Sequence, residues 1–196
     1  VLLQRQIAWA AEKTAFYRDA FARAGVCAGD VHTPADMNRL PLLERAAWEG
    51  AGAPFFMLAL PLSGLMRMSL LRDSAHERGI FHCCTQEDVA RRVRSAAQML
   101  SAAGINRASN VLLVGDFTDS RMLDLQYALD TLGAMTMPIG TDASAADIDR
   151  ILSVIVPDTV IVWENLLSPV AAALQEKRIM LHRLVTVGAR VMPQEE

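Results

Sequence analysis

The chain has 196 residues, of which 52% are hydrophobic and 21% charged, and a net charge of −3. That balance describes one folded domain, or a large piece of a bigger protein, and excludes a disordered chain. Basic residues are seventeen Arg and two Lys (Lys13 and Lys177), with no long run of either sign, so neither a nucleic-acid groove nor an anionic membrane surface is indicated.

In chain order, Leu3, Ile7, Ala10 or Ala11, Phe16 or Tyr17 and Phe21 recur at helical spacing, which predicts one amphipathic helix over residues 2–24 stopped by Gly25. Thr33-Pro34-Ala35-Asp36 supplies a cap, a proline at the first helical position and an acid at the third, a start for a short helix that Leu40-Pro41 ends. A third short helix is expected around Glu44 to Trp48, and the apolar PFFMLALP (54–61) is expected to pack on the core.

From residue 65 short apolar runs alternate with helical patterns. Strands are predicted at Leu65–Met68, Ile80–Cys84, Val111–Val114, Met135–Ile139, Val160–Trp163 and Leu184–Val187. Between them lie helices over Gln86–Ala103, Arg121–Leu132, Ala145–Val154 and Asn165–Lys177. Runs apolar at every position, such as VLLV and VIVW, fit strands buried on both faces. The fold class is therefore α/β, a mainly parallel sheet flanked by helices and preceded by a helical segment. The expected division is residues 1–64 for that segment and 65–196 for the α/β part.

Cys27, Cys83 and Cys84 form no disulfide framework, which reads as a reducing cytoplasm. The longest uncharged run, Gly50 to Met66, contains Pro54 and Pro61 and falls short of a bilayer span, and no signal peptide is indicated. His76, His82, Cys83 and Cys84 have the donor types of a zinc site. Adjacent cysteines on a strand point to opposite faces, however, and the spacing matches no common finger or ribbon, so no metal is expected. His32 and His182 have no partner set for a metal.

Arg91, Arg92 and Arg94 read either as a phosphate clamp for CoA or, with Glu87 and Asp88 one turn earlier, as a solvated and locally compensated helix face; the second is the expectation. Met57, Met66 and Met68 read as gap-filling core rather than an acyl pocket.

TAFYRDAFARAGV (14–26), TPADMNRLPL (33–42), PFFMLALP, CTQEDV (84–89), LSAAGINRASNVLL (100–113) and LGAMTMPIG (132–140), in that order, resemble the N-terminal part of phenylacetate-CoA ligases and related coenzyme synthetases. These belong to the adenylate-forming, AMP-binding superfamily, which activates a carboxylate with ATP and passes the acyl group to CoA. By that resemblance a Ser/Thr/Gly-rich phosphate loop of the form SSGTTGKPT should lie between Arg67 and Thr85. Here the interval reads SLLRDSAHERG, with Arg72, Ser74 and Gly79 at the degenerate phosphate-loop position. It lacks lysine and carries Asp73 and Glu77, which repel a triphosphate.

GDFTDSR (115–121) stands where relatives line an aryl-acid pocket; Phe117 and Thr118 match, while Asp116 and Asp119 are poor neighbours for a carboxylate. Gly188 and Ala189 match the turn that borders adenine in relatives, with Arg190 and Val191 replacing an acid and a proline. The resemblance implies a domain truncated at its C-terminal end, without the family's later motifs or its catalytic lysine, which neither Lys13 nor Lys177 replaces.

The expectation is a ligase-like segment with no catalytic residues of its own and no metal. ATP, AMP and CoA are implied only if the ancestral activity survives. The alternatives are a non-catalytic binding or scaffolding domain, as a homodimer, or one half of a split ligase whose C-terminal half is on another chain. The charged set Arg67, Arg72, Asp73, His76, Glu77 and Arg78 is then a solvated hairpin connection or a partner-binding surface.

Overall fold

A strand that is apolar at every position can be satisfied only if both of its faces are covered, and two runs of this chain meet that condition. Val111–Val114 and Val160–Val162 are almost wholly buried. They form the centre of a four-stranded parallel sheet in the computed structural model, which describes residues 2–44, 46–47, 54–73 and 76–188, with the backbone course alone at 71–73 and 76–80.

The described residues form two compact units, Val1–Gln86 and Glu87–Glu196. In the first, α1 (Leu2–Lys13) and α2 (Ala15–Ala24) replace the single helix expected over 2–24. The break has a local cause. The Thr14 hydroxyl donates to Ala10 O at 2.9 Å, ending α1, and accepts from Tyr17 N at 3.2 Å, capping α2. Gly25 closes α2 at φ 64°, as its position predicts.

Ile7, Phe21 and Val31 make a small core with Leu3, Tyr17 and Leu40, and Phe56 of PFFMLALP lies 5.8 Å from Phe16, ring to ring. The Thr33-Pro34 start yields a 3-10 turn, Pro34–Arg39, whose Asp36 carboxylate accepts from the backbone of His32 and Thr33. The helix expected at Glu44–Trp48 lies largely outside the described residues.

Still in the first unit, β1 (Arg67–Asp73) and β2 (His76–Cys84) pair antiparallel, Arg67 opposite Cys84 and Leu71 opposite Ile80. Alternation puts Ser69 and Cys84 inward and Met66, Met68, Leu70 and Phe81 outward. Met66 and Met68 are 58% and 49% exposed, so they fill no core, contrary to the gap-filling expectation. Cys84 Sγ sits 3.6 Å from the His82 ring on the same face, and burial, with Cys84 beside it, pushes the Cys83 thiol up.

The second unit follows the predicted order: α3 (Gln86–Ala102), β3 (Asn110–Val114), α4 (Ser120–Leu132), β4 (Met135–Ile139), α5 (Ala145–Val154), β5 (Thr159–Trp163), α6 (Leu167–Glu176) and β6 (Arg183–Val187). Strand order is β4-β3-β5-β6, all parallel.

α3 and α4 cover one face through Leu100, Met122, Leu125 and Leu129 against Leu113 and Ile161. α5 and α6 cover the other through Ile148, Leu152, Val170 and Leu174 against Leu112, Val160 and Val162. At the N-terminal edge, Asp158 gathers three strands: its carboxylate accepts from Asn110 N at 2.6 Å and lies 3.5 Å from Arg183 Nη1. Arg183 Nε donates in turn to Ala103 O at 2.9 Å. No described helix is long and apolar enough to cross a membrane.

Candidate functional site

In an open α/β sheet the crevice that can admit a ligand opens at the carboxyl ends of neighbouring strands whose helices leave to opposite faces. Here that pair is β3 and β5: β3 runs into α4 on one face, β5 into α6 on the other. The chain leaves β3 through Gly115-Asp116-Phe117-Thr118-Asp119 and leaves β5 through Trp163-Glu164. Gly115 lies in close approach to its neighbours, since a Cβ there would lie 2.7 Å from Met122 Cε and 3.1 Å from the Trp163 ring and would force them to shift. Gly188, just past β6, is constrained likewise, because a Cβ would meet the Glu164 carboxylate.

The carboxylates of this loop are already engaged. Asp116 Oδ1 accepts from Thr118 N at 2.8 Å and Thr118 Oγ1 at 2.6 Å. Asp119 caps α4 through Arg121 N at 2.8 Å and accepts from Arg121 Nε and Nη2 at 3.0 and 2.9 Å. Burial works to raise the Asp119 pKa, but these hydrogen bonds and the charges of Arg121 and Arg92 hold it below the ordinary carboxylate value. Arg121 is raised reciprocally by its bond to Asp119. Its guanidinium also lies 4.9 Å from the Trp163 ring centroid, a cation–π contact that fixes its plane. The expectation that Asp119 would repel an acid is therefore corrected, since Arg121 neutralises it.

Beside this loop opens a cleft of about 710 Å³ lined by α3, α4 and β6, with Leu125, Val185, Val187 and Met99 as apolar wall and Arg91, Arg92, Arg121, Asp124 and Thr186 as polar lining. Gly188 lies at its end. Arg91 pairs with Asp88 on its own helix, which matches the compensated-face reading. Arg92 does not: it reaches across to buried Asp124 of α4, Nε to Oδ2 2.6 Å.

Of the residues singled out in the sequence, Gly188 is thus brought beside Arg92 and Arg121. Ser74, Ala189 and Arg190 lie outside the described residues, and Arg72 and Gly79 are placed as backbone positions in β1 and β2. Arg121, Asp124, Trp163 and Thr186 are what sequence reasoning missed. Their partners are 32 to 42 positions away or on another element, although an arginine two residues after a helix-capping aspartate was a usable signal. Among the described residues no group of three or more His, Cys, Asp or Glu could hold a metal ion.

No family model matches the chain, and neither does any curated protein. Solved structures do. 2-Hydroxyisobutyryl-CoA ligase in an open conformation with 2-HIB-AMP and CoA superposes with a TM-score of 0.77 at 18% identity, covering 96% of this chain and 43% of that one. The same ligase in the postadenylation state with R3-HIB-AMP gives 0.75, 18%, 95% and 41%. The luciferase-like enzyme of the mealworm Zophobas morio gives 0.50, 18%, 64% and 28%. The chain thus has the fold of part of an adenylate-forming CoA ligase and spans about two-fifths of the length of the first two.

Proposed function

We propose that the chain is a segment of a phenylacetate-CoA-ligase-like adenylate-forming enzyme that has lost its phosphate loop and does not catalyse ligation alone. The observation that carries this reading is the β1–β2 ladder. Where the resemblance calls for a glycine-rich loop, residues 69–73 and 76–82 are strand, paired from Ser69 opposite His82 to Leu71 opposite Ile80 and, past an irregularity between Leu71 and Asp73, again at Asp73 opposite His76. A loop that cradles a triphosphate needs successive backbone N–H groups turned into one concavity, whereas a ladder commits alternate ones to the neighbouring strand. Asp73 and Glu77 offset Arg72 and Arg78 in the same interval, which therefore has no net positive charge to offer a triphosphate.

A second reading, a binding domain without catalysis, is favoured by the cleft of the second unit, whose arginines and apolar wall are intact without any phosphate loop.

Thermal-shift titration separates a surviving nucleotide site from a lost one. No shift is expected with ATP, AMP or CoA at concentrations that saturate adenylating enzymes. Binding with a Kd one-hundredth of the ligand concentration would add about 2.7 kcal/mol to native stability, a rise of roughly 5 to 10 °C for a chain of this size. Such a rise with micromolar AMP overturns the proposal, as does formation of an acyl-adenylate from ATP and phenylacetate by this chain.

A further inference from the structure

The charges around the cleft of the second unit are layered. Its lining carries three guanidinium groups, Arg91, Arg92 and Arg121, against one carboxylate, Asp124. The carboxylates that hold Arg92 and Arg121 sit behind them: the side chains of Asp124 and Asp119 are 7% and 11% exposed, those of Arg92 and Arg121 34% and 42%. Such backing orients a guanidinium while its outer edge stays available.

Arg121 uses Nε and Nη2 on Asp119, and Arg92 uses Nε on Asp124, so among the described residues Nη1 of Arg121 and the terminal nitrogens of Arg92 carry no hydrogen bond, on two side chains that line the cleft. Arg92 and Arg121 line the same cleft, and the charge of Arg92 reaches Asp119, the partner of Arg121, so the two guanidinium groups serve one site. Both are held in place, one by Asp119 and Trp163, the other by Asp124. A pair of planar, oriented forks beside an apolar wall recognises two acidic groups on one apolar body better than a single one. The volume suffices for a ring-bearing molecule of that kind.

We propose that this cleft binds a small amphipathic dianion, its apolar body against Leu125, Val185 and Val187 and its acidic groups on Arg92 and Arg121. The inference rests on the proposed CoA-ligase-like reading, in which the 115–121 loop beside this cleft is the one that lines the acid pocket. To it is added the charge pattern of the ligand and its independence from ATP. Carboxylate and phosphate present the same paired oxygens to a guanidinium, so the probes distinguish them.

Trp163, stacked on Arg121, is the reporter. In a Trp9→Phe, Trp48→Phe background it is the single tryptophan left. Its emission is followed, with calorimetry in parallel and without nucleotide, on adding phenylsuccinate, phenyl phosphate, phenylacetate or 2-phenylethanol. A saturable change is expected with phenylsuccinate or phenyl phosphate, whichever binds tighter naming the acidic group. Phenylacetate is expected to bind about tenfold more weakly, as one lost charge-assisted hydrogen bond implies, and phenylethanol not at all.

Arg121→Lys, which keeps the charge and loses the fork, should weaken the dianion by about tenfold or more; Arg94→Lys, on the outward side of α3, should not. Equal binding of phenylacetate and phenylsuccinate, or indifference to Arg121→Lys, sinks the dianion proposal and leaves the acid-binding reading standing. Equal binding of phenylethanol, or no saturable response to any probe at millimolar concentration, sinks both. Should Arg121→Lys fail to fold by circular dichroism, Arg92→Lys and the wild-type rank order of the four probes decide.

Discussion

β3 and β5 are buried at nearly every position, whereas β1 buries Ser69 and turns Met68 and Leu70 outward, as does Met66 just before it. The two regions lie in one chain and are both strand, yet they draw on different resources. The central strands are held by side chains on two faces and by helices that cover them. The hairpin has one covered face and its ladder. The difference teaches that a strand's apolar residues measure stability only when the alternation points them at something: all four side chains of VLLV are buried, whereas Met66, Met68 and Leu70, alternating with Arg67 and Ser69, are 58%, 49% and 37% exposed.

The comparison can be broken most directly in the core. Leu113→Ala, at a position with no exposure, should cost about 3–4 kcal/mol of unfolding free energy, as truncation of a tightly enclosed leucine does. Met68→Ser in the hairpin should stay within about 0.5 kcal/mol. Urea unfolding of both variants checks the pair, and a Met68→Ser cost near that of Leu113→Ala would show the hairpin's outer face to be covered.

A smaller contrast lies in ion pairs. Asp124→Asn should cost about 1–3 kcal/mol, because it weakens a pair whose carboxylate is buried. Asp88→Asn, an exposed i,i+3 pair on α3, should cost about 0.3–0.5 kcal/mol or less. Similar costs would mean that Arg92 gains nothing from reaching across to α4.

Acid sharpens the comparison further. Asp119 and Asp158 in the second unit are lowered below the usual carboxylate value: burial opposes the shift at each, and what prevails is hydrogen bonding, from Arg121 at Asp119 and from Thr159 and the Asn110 backbone at Asp158, with the charge of Arg183 beside the latter. A lowered folded pKa stabilises the native state above the unfolded value, near pH 4, and that stability is lost as pH falls through the folded value. Stability should therefore be flat from neutral pH to about pH 5 and fall below about pH 4. Asp119→Asn should make the fall shallower, and Asp36→Asn, at a fully exposed cap whose carboxylate is lowered chiefly by the Thr33 backbone N–H, should change it less. Melting curves across pH 2.5 to 7 would reveal the opposite ranking if the caps of the first unit dominate.

The sequence made the second unit legible because its elements are dictated locally: unbroken apolar runs for β3 and β5, Gly104 and Gly133 at positive φ where helices end, and Ser144 capping α5 with Asp147. What stayed hidden depended on partners far along the chain. Thr14 reads as one more polar position of a helix until its hydroxyl is seen to serve both α1 and α2. The strand character of residues 69–73 was hidden because a phosphate loop was expected there by resemblance, and adjacent charges such as Arg72-Asp73 are poor evidence for a strand.

The cleft was half legible. Gly188 and the Phe117 loop were marked by resemblance, and Arg92 by its cluster. The Arg92–Asp124 and Arg121–Trp163 contacts join residues 32 and 42 positions apart, which no local pattern encodes.

The anchoring of β6 by Arg183 bears on the order in which the molecule assembles. Its bond to Ala103 O closes a loop of 80 residues, and its contact with Asp158 requires β5 to be in place. β6 is the last strand in the chain and lies at the edge of the sheet, so its anchor is expected to close after the β3–β5 pairing to which it is added. Interactions absent from the transition state act on the unfolding rate alone. Arg183 is therefore expected to act as a latch on lifetime: Arg183→Ala should speed unfolding of the second unit and leave its rate of formation little changed, which stopped-flow folding and unfolding rates check.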